Sequence, residues 1–262
     1  MCNRYRPASV TYLRDTFGFT QIEEAEPWSP AGIGPWQPGP FVHREGVSVG
    51  QWGLIPWFAT ARRPTGKGGR PISTNNCRVE TAPTAPSFKG PWSRGQRCLI
   101  PAIDWDEPYW GTGRNIWWRF ARSDGQPWAL AGLWTDWTDP ATGEVLRSYT
   151  MLTQNCDAHP LLSLMHKPEP SLPADAQDKR AVVPIEQGDW RQWLEGTLDE
   201  ALQLVRLPPL ERIAHDAADP SRRVPLPGLG PVGAAPVPAA PTAGPCPPPA
   251  APAQGWLPGF DA

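Results

Sequence analysis

Between positions 50 and 185 the chain is a succession of short apolar runs cut off by Pro, Gly and Asp, and that punctuation restricts it mainly to strands and turns. Segments 50–56, 98–103, 116–121, 128–134, 148–153 and 180–185 are rich in aromatic and aliphatic residues. Asp124-Gly125 and the stretch 139–143 (Asp-Pro-Ala-Thr-Gly) supply turns, and 128–137 with 144–152 reads as a hairpin around the second. Helix signals sit toward the two ends. Positions 9–16 form one short candidate, and 188–195 carries Trp190, Trp193 and Leu194 at helical spacing. Thr197 and Glu200 then make a capping box ahead of 201–205. The expected fold class is α+β: a large, mainly antiparallel sheet curled into a barrel, with peripheral helices. No βαβ alternation, G-x-G-x-x-G or P-loop appears, which argues against a nucleotide cofactor.

The composition divides the chain unevenly. From Val224 onward roughly a third of the residues are proline, most others are Ala or Gly, and Asp261 is the single charged side chain. Such a segment buries too little apolar surface to offset its ordering entropy. The expected organisation is therefore one domain over 2–223 and a disordered tail over 224–262. The first 223 positions hold 24 basic and 25 acidic side chains, so no global basic field advertises nucleic acid. Any DNA contact must come from a local groove. Five widely spaced cysteines, no signal-peptide pattern and no long apolar run point to a reduced, cytoplasmic protein away from the membrane. Most of the fifteen tryptophans are expected to pack in the core, with a minority offering faces for base stacking.

The chemistry-bearing residues begin at Cys2. If Met1 is clipped, that residue carries a free α-amine and a thiol, with ordinary pKa values of about 7.7–8.0 and about 8.5, so both are partly nucleophilic at neutral pH. An amine condenses with an aldehyde to an imine, and the adjacent thiol closes a five-membered thiazolidine. Four further segments stand out. In 75–81 polar and apolar residues alternate, placing Asn76, Arg78 and Glu80 on one face of a strand; a solvated strand face would look the same. In 97–108 an apolar run leads into an acidic turn with Asp104, Asp106 and Glu107 among aromatics, where a desolvated carboxyl could serve as a general acid. His159 and His166, in 159–168, account for two of only four histidines. With Cys156 they match no common zinc spacing, so no metal is expected. Segment 51–57 (Gln-Trp-Gly-Leu-Ile-Pro-Trp) reads as packing, and the basic loop 62–70 after it suits a phosphate backbone or plain solvent.

Taken in order, Met1-Cys2-Asn3-Arg4-Tyr5, Trp52-Gly53-Leu54-Ile55-Pro56, Asn76-Cys77-Arg78-Val79-Glu80-Thr81, Arg97-Cys98-Leu99-Ile100-Pro101-Ala102 followed by Glu107, Ala131-Gly132-Leu133-Trp134 and His166-Lys167-Pro168 resemble the SRAP family of abasic-site processing proteins. The resemblance runs from Cys2 to about position 208. It implies that Cys2 is the crosslinking nucleophile and that Asn76 orients the N-terminal cysteine and the sugar. Glu107 becomes the acid/base carboxylate, and His166 assists sugar-ring opening and proton transfer. Arg4 and Arg78 fall at positions of a DNA-binding groove, with Trp52 and Pro56 in its wall. Asp104 and Asp106 compete with Glu107 for its role, and Asn75 with Asn76. Lys-Pro follows His166 where Arg-Met-Pro is common, which weakens the implication of an arginine–phosphate contact at that point.

The function so implied is an abasic-site sensor that binds single-stranded DNA as a monomer and forms a covalent thiazolidine link through Cys2, with no cofactor. Two alternatives use the same chain differently. One is a cysteine peptidase acting autocatalytically on Met1, with His166 as base. The other is a non-catalytic single-stranded DNA binding module. Replacing Cys2 by Ser would abolish crosslinking but leave module-type binding intact, and a peptidase acting in trans should instead cleave unrelated peptides without needing DNA.

Overall fold

The computed structural model describes residues 2–18 and 28–229; Met1, Cys246 and the remainder of the expected tail, 230–262, lie outside the described residues. In chain order the elements are β1 (Tyr5–Pro7), α1 (Val10–Phe17), β2 (Pro38–His43), β3 (Gly46–Trp52), β4 (Asn76–Arg78), α2 (Lys89–Ser93), β5 (Arg97–Tyr109), β6 (Ile116–Arg122), β7 (Trp128–Thr138), β8 (Val145–Asn155), β9 (Arg180–Val182), α3 (Trp190–Glu195), α4 (Leu198–Leu202) and β10 (Ile213–Ala217). Strands β2, β3, β8, β7 and β5 pair in a closed circuit, and β5 returns to β2 through Val42 and Leu99. This barrel, with added strands and few helices, is the expected α+β architecture. The sheet is mainly antiparallel; β8 pairs in parallel with β3 and with β4. Among the described residues no helix is long and apolar enough to cross a membrane.

Strand alternation sorts the core into two layers. Phe41, Trp52, Ile100, Leu130, Tyr149 and Met151 come from all five barrel strands and meet inside. Val42, Leu99, Ala131 and Leu152 face outward under Trp190, Trp193 and Leu194 of α3. The Trp193 indole anchors that layer by donating to the Cys98 carbonyl at 2.9 Å. Helix α1 is capped by the Ser9 hydroxyl, and α4 carries the expected Thr197–Glu200 capping box.

Several boundaries differ from expectation for identifiable reasons. The acidic "turn" after Cys98 is strand: β5 continues to Tyr109 because β1 and β6 pair with its distal half. Strand β4 stops at Arg78, so Glu80 lies in the following turn and does not extend one face with Asn76. Strand β2 contains Pro38 and Pro40, yet those residues ladder only with β3, leaving the side where a proline lacks its N–H without a partner strand. The basic loop after Trp57 is partly ordered by the Thr65–Pro71 bridge. At the start of the expected tail, Leu226 is buried and Val224 and Leu229 pack against the inner core.

Candidate active site

Cys2 precedes β1, the short strand that lies along the distal half of β5, and its side chain is fully buried. Its backbone carbonyl accepts two side-chain amides: Asn76 Nδ2 at 2.7 Å and Asn75 Nδ2 at 3.1 Å. Asn75 also donates to Asn3 Oδ1 at 3.1 Å. Both asparagines, the two sequence candidates, thus hold the same oxygen. Asn75 is held in turn by its own backbone: its carbonyl accepts the Trp52 indole N–H at 2.8 Å and the Met151 amide at 3.0 Å. The buried Oδ1 of Asn76 has no protein donor among the described residues.

The Cys2 thiol donates to the Arg4 carbonyl at 3.3 Å. Burial pushes its pKa well up, and the nearby Glu107 carboxylate adds to the rise. The expectation of a partly ionised thiol at neutral pH is therefore corrected: in this environment the sulfur rests protonated and needs a base.

A buried carboxyl group is close by. A bulge in β5 decides which carboxyl group faces the cysteine. Pro7 sits opposite Ala102 but Arg6 opposite Asp104, so Ile103 is the extra residue. The bulge changes the phase of the strand, and Trp105 and Tyr109 join Ala102 on the inner face. Glu107 lies between them on that face, buried. Asp104 and Asp106 point the other way into arginine pairs. Asp104 takes Arg6 Nε at 2.8 and 2.9 Å, and Asp106 takes Arg119 at 2.9 and 3.2 Å. Without the bulge the two aspartates would share the face of Ala102 and Glu107 would leave it.

His166 completes the cluster. Its Nε2 lies 3.4 Å from Glu107 Oε2 and donates to the Arg180 carbonyl at 3.0 Å. Burial lowers its pKa, opposed by the Glu107 charge, so the imidazole is neutral at physiological pH. Its backbone is left-handed, φ +66°, a sparsely populated conformation for a non-glycine residue that costs about 1–3 kcal/mol. The amide of His166 donates to the Pro108 carbonyl at 2.6 Å, tying the histidine to the end of β5 that carries Glu107.

The other sequence candidates distribute around this centre. The side chain of Arg4 is 54% exposed, with its Nε 3.8 Å from Asp106. Arg78 is 46% exposed and pairs with Asp178 at 2.7 Å. Both therefore present guanidinium groups to solvent. Trp52 and Pro56 do not form a surface wall: both are buried, and Trp52 packs edge-on against Tyr5 at 5.1 Å. The indole supports Asn75 from beneath. Gly53 follows at φ +132°, where a Cβ would lie 2.7 Å from the Trp36 ring. The exposed aromatic of this segment is Trp57, 77% accessible and edge-to-face with Phe58. His159 stands apart, its Nε2 on the Pro208 carbonyl and its Nδ1 accepting the amides of Leu161 and Leu162. It organises a turn, and among the described residues no cluster suits a metal ion.

Arg180 was missed by sequence reasoning. It is buried behind His166, donates to the Thr153 carbonyl at 3.2 Å, and pairs with Glu80 and Asp178. Fourteen residues separate it from His166, which hides the association from any motif of adjacent residues.

Comparison with known proteins gives a consistent picture. The model of the family described as "SOS response associated peptidase (SRAP)" matches residues 1–219. A chicken (Gallus gallus) protein named "Abasic site processing protein HMCES" is 29% identical over 185 residues, 63% of this chain and 50% of its own. The rat (Rattus norvegicus) protein of that name is 26% identical over 197 residues, covering 65% and 51%. The chain thus spans about half the length of the curated relatives it matches. A solved structure from Bordetella bronchiseptica superposes with a TM-score of 0.70 at 30% identity, covering 83% of this chain and 100% of that one. One from Bacteroides thetaiotaomicron, at 17% identity and TM-score 0.65, shares the fold over 82% of this chain and 91% of its own.

Proposed function

This chain belongs to the SOS response associated peptidase (SRAP) family, and from that premise we propose that it is an abasic-site processing protein that links itself to DNA through Cys2. The observation that carries the reading is the double amide grip on the Cys2 carbonyl beside the Glu107–His166 pair. A residue whose backbone is held that firmly has a fixed position for its nitrogen as well as for its sulfur.

Removal of Met1 exposes the Cys2 α-amine. An abasic deoxyribose is mostly a closed hemiacetal, which opens when a proton leaves O1′ and another reaches O4′. The neutral imidazole of His166 and the carboxyl group of Glu107 are suited to that exchange. The amine then attacks C1′, and the carbinolamine loses one water to give an imine, with Asn76 Oδ1 as acceptor for the amine N–H. The sulfur adds to the imine carbon while its proton passes through Glu107 or His166 to the imine nitrogen. A neutral thiazolidine results, with one water lost per link. Both nucleophiles arrive on one residue, so the second attack is intramolecular. Single-stranded DNA in a groove rimmed by Arg4 and Arg78 is the substrate that exposes C1′ to such a site. The protein acts in DNA repair, as a monomer associated with DNA, and the link shields the lesion from strand scission.

Intact mass after mixing the protein with an oligonucleotide carrying one abasic site tests the reading. The expected species lacks Met1 and one water relative to the sum of its parts, and does not form with Cys2→Ala. No adduct from protein shown to have lost Met1 would overturn it.

A further inference from the structure

We propose that Lys179 is the positioning residue of His166, holding the histidine in its left-handed conformation by gripping the backbone that leaves it. The inference extends the assigned cluster to a side chain outside every motif of the sequence, and its catalytic consequence rests on the reading above.

The geometry is specific. The Lys179 side chain is buried, and its Nζ donates to the His166 carbonyl at 2.8 Å and to the Lys167 carbonyl at 3.1 Å. An ammonium withdrawn from water is stable when its donors are satisfied by strong acceptors, and here two backbone oxygens supply that role. One belongs to the left-handed His166 and the other to the residue after it, where the chain departs from β5. On the entering side, the His166 amide is fixed to Pro108, and Met165 bridges Tyr109. On the leaving side, Lys179 Nζ is the donor to the carbonyls of both His166 and Lys167.

Lys179 is itself immobilised. Its amide and that of Asp178 donate to the Asp157 carboxylate at 2.8 and 2.9 Å, and Asp178 is also left-handed, φ +53°. The excursion 167–178 is therefore closed at its neck by a lysine–carbonyl clamp. Within it, Gln177 ties the backbone together by donating to the carbonyls of Glu169, Leu172 and Pro173. Such an internally braced loop with adjacent ends is an Ω-type element. Its neck fixes the histidine, whose ring then meets Glu107 and the Arg180 carbonyl.

The test is Lys179→Met, close in volume and without donors, with Lys179→Gln retaining a neutral donor. Two readouts are taken on protein confirmed folded by circular dichroism. In the DNA-free protein, the NMR line positions and titration of the His166 ring are followed. On an abasic single strand, the saturating crosslinking rate is measured separately from affinity for an intact strand. We expect Met to displace the His166 resonances and slow the saturating rate at least tenfold, with affinity changed less than twofold and Gln in between. His166 resonances and rate that match wild type in both variants would overturn the proposal; should Met fail to fold, Gln alone decides. If the wild-type protein forms no crosslink, the abasic-site reading fails, while the His166 resonances still decide the positioning role.

Discussion

Glu107 Oε2 lies 3.4 Å from His166 Nε2, and the Glu107 charge acts on both His166 and the Cys2 thiol. It raises the imidazole pKa against the lowering effect of burial, and it adds to burial in raising the thiol. Replacing Glu107 by Gln removes one influence from both groups. We expect the His166 midpoint to fall further and the Cys2 midpoint to fall as well, readable by NMR titration and by the pH dependence of thiol alkylation. Crosslinking should slow by about 10²–10⁴, the range of a lost general acid or base. A His166 midpoint that stays put would show the carboxylate is not coupled to it.

Two amides converge on the carbonyl of Cys2, so their removal should be non-additive. Asn76→Ala deletes the shorter bond and should cost about 1–2 kcal/mol of stability with a slower crosslink. Asn75→Ala leaves Asn76 in place and should cost less in rate. The double variant should lose more than the sum, because only then is the carbonyl without either grip. A double-mutant cycle on both rate and urea midpoint measures the coupling. Strict additivity would mean the two amides act independently.

The W-G-L-I-P-W segment separates support from surface. Trp52→Phe removes the indole N–H that holds the Asn75 carbonyl and leaves a void, and should lower stability by about 1–3 kcal/mol. Trp57→Ala touches an exposed ring and should leave the thermal midpoint within about 1 °C, while weakening single-strand affinity by the roughly 1–3 kcal/mol of a lost stacking platform. Fluorescence anisotropy and calorimetry on the same two variants distinguish these effects. The reverse pattern would exchange the roles of the two tryptophans.

All four histidines have pKa values lowered from 6.5 by burial. The unfolded chain therefore takes up protons near pH 6.5 while the folded chain still resists them. Where the unfolded state binds more protons, stability falls as pH falls. Carboxylates with depressed values, such as Glu80 and Asp124, titrate below this window. We expect the thermal midpoint to drop by roughly 3–10 °C between pH 7.5 and 5.5. A flat profile across that interval would contradict neutral, buried imidazoles.

The hairpin β7–β8, the capping box of α4 and helix α1 were legible in the sequence because each is coded by neighbours within a few positions. The inward orientation of Glu107 was not, since it depends on a one-residue bulge at Ile103 that only the pairing of β1 with β5 creates. Distance along the chain hid Arg180 and Lys179 in the same way: their acceptors and donors lie on the far side of the excursion after His166. Trp52 is packed, as its apolar segment read, and it is the groove-wall position implied by the resemblance that does not hold. Its apolar bulk suits either a wall or a core, and only the closure of the barrel buries it. Motifs thus located the residues around Cys2, and tertiary pairing determined which way each one faces.

Arg78 meets Asp178 across 2.7 Å, and the same carboxylate reaches Arg180 at 3.1 Å. A phosphate approaching Arg78 must compete with that aspartate. Asp178→Asn removes the competing charge while keeping a residue tolerant of φ +53°. The half-exposed Arg78 pair contributes little to folding, and the buried Arg180 keeps Glu80 and an asparagine oxygen as acceptors, so stability should change by less than about 1 kcal/mol. With the guanidinium released, affinity for single-stranded DNA should rise about two- to fivefold at low salt. The salt slope should steepen by up to about 0.7, the increment expected for one additional phosphate neutralised on a single strand. Arg78→Ala should move both quantities the opposite way, and combining it with Asp178→Asn should abolish the gain. Anisotropy titrations at several salt concentrations measure all three variants. If Asp178→Asn gains affinity even without Arg78, the aspartate acts through Arg180 or through general repulsion of the backbone, and Arg78 is not the phosphate contact.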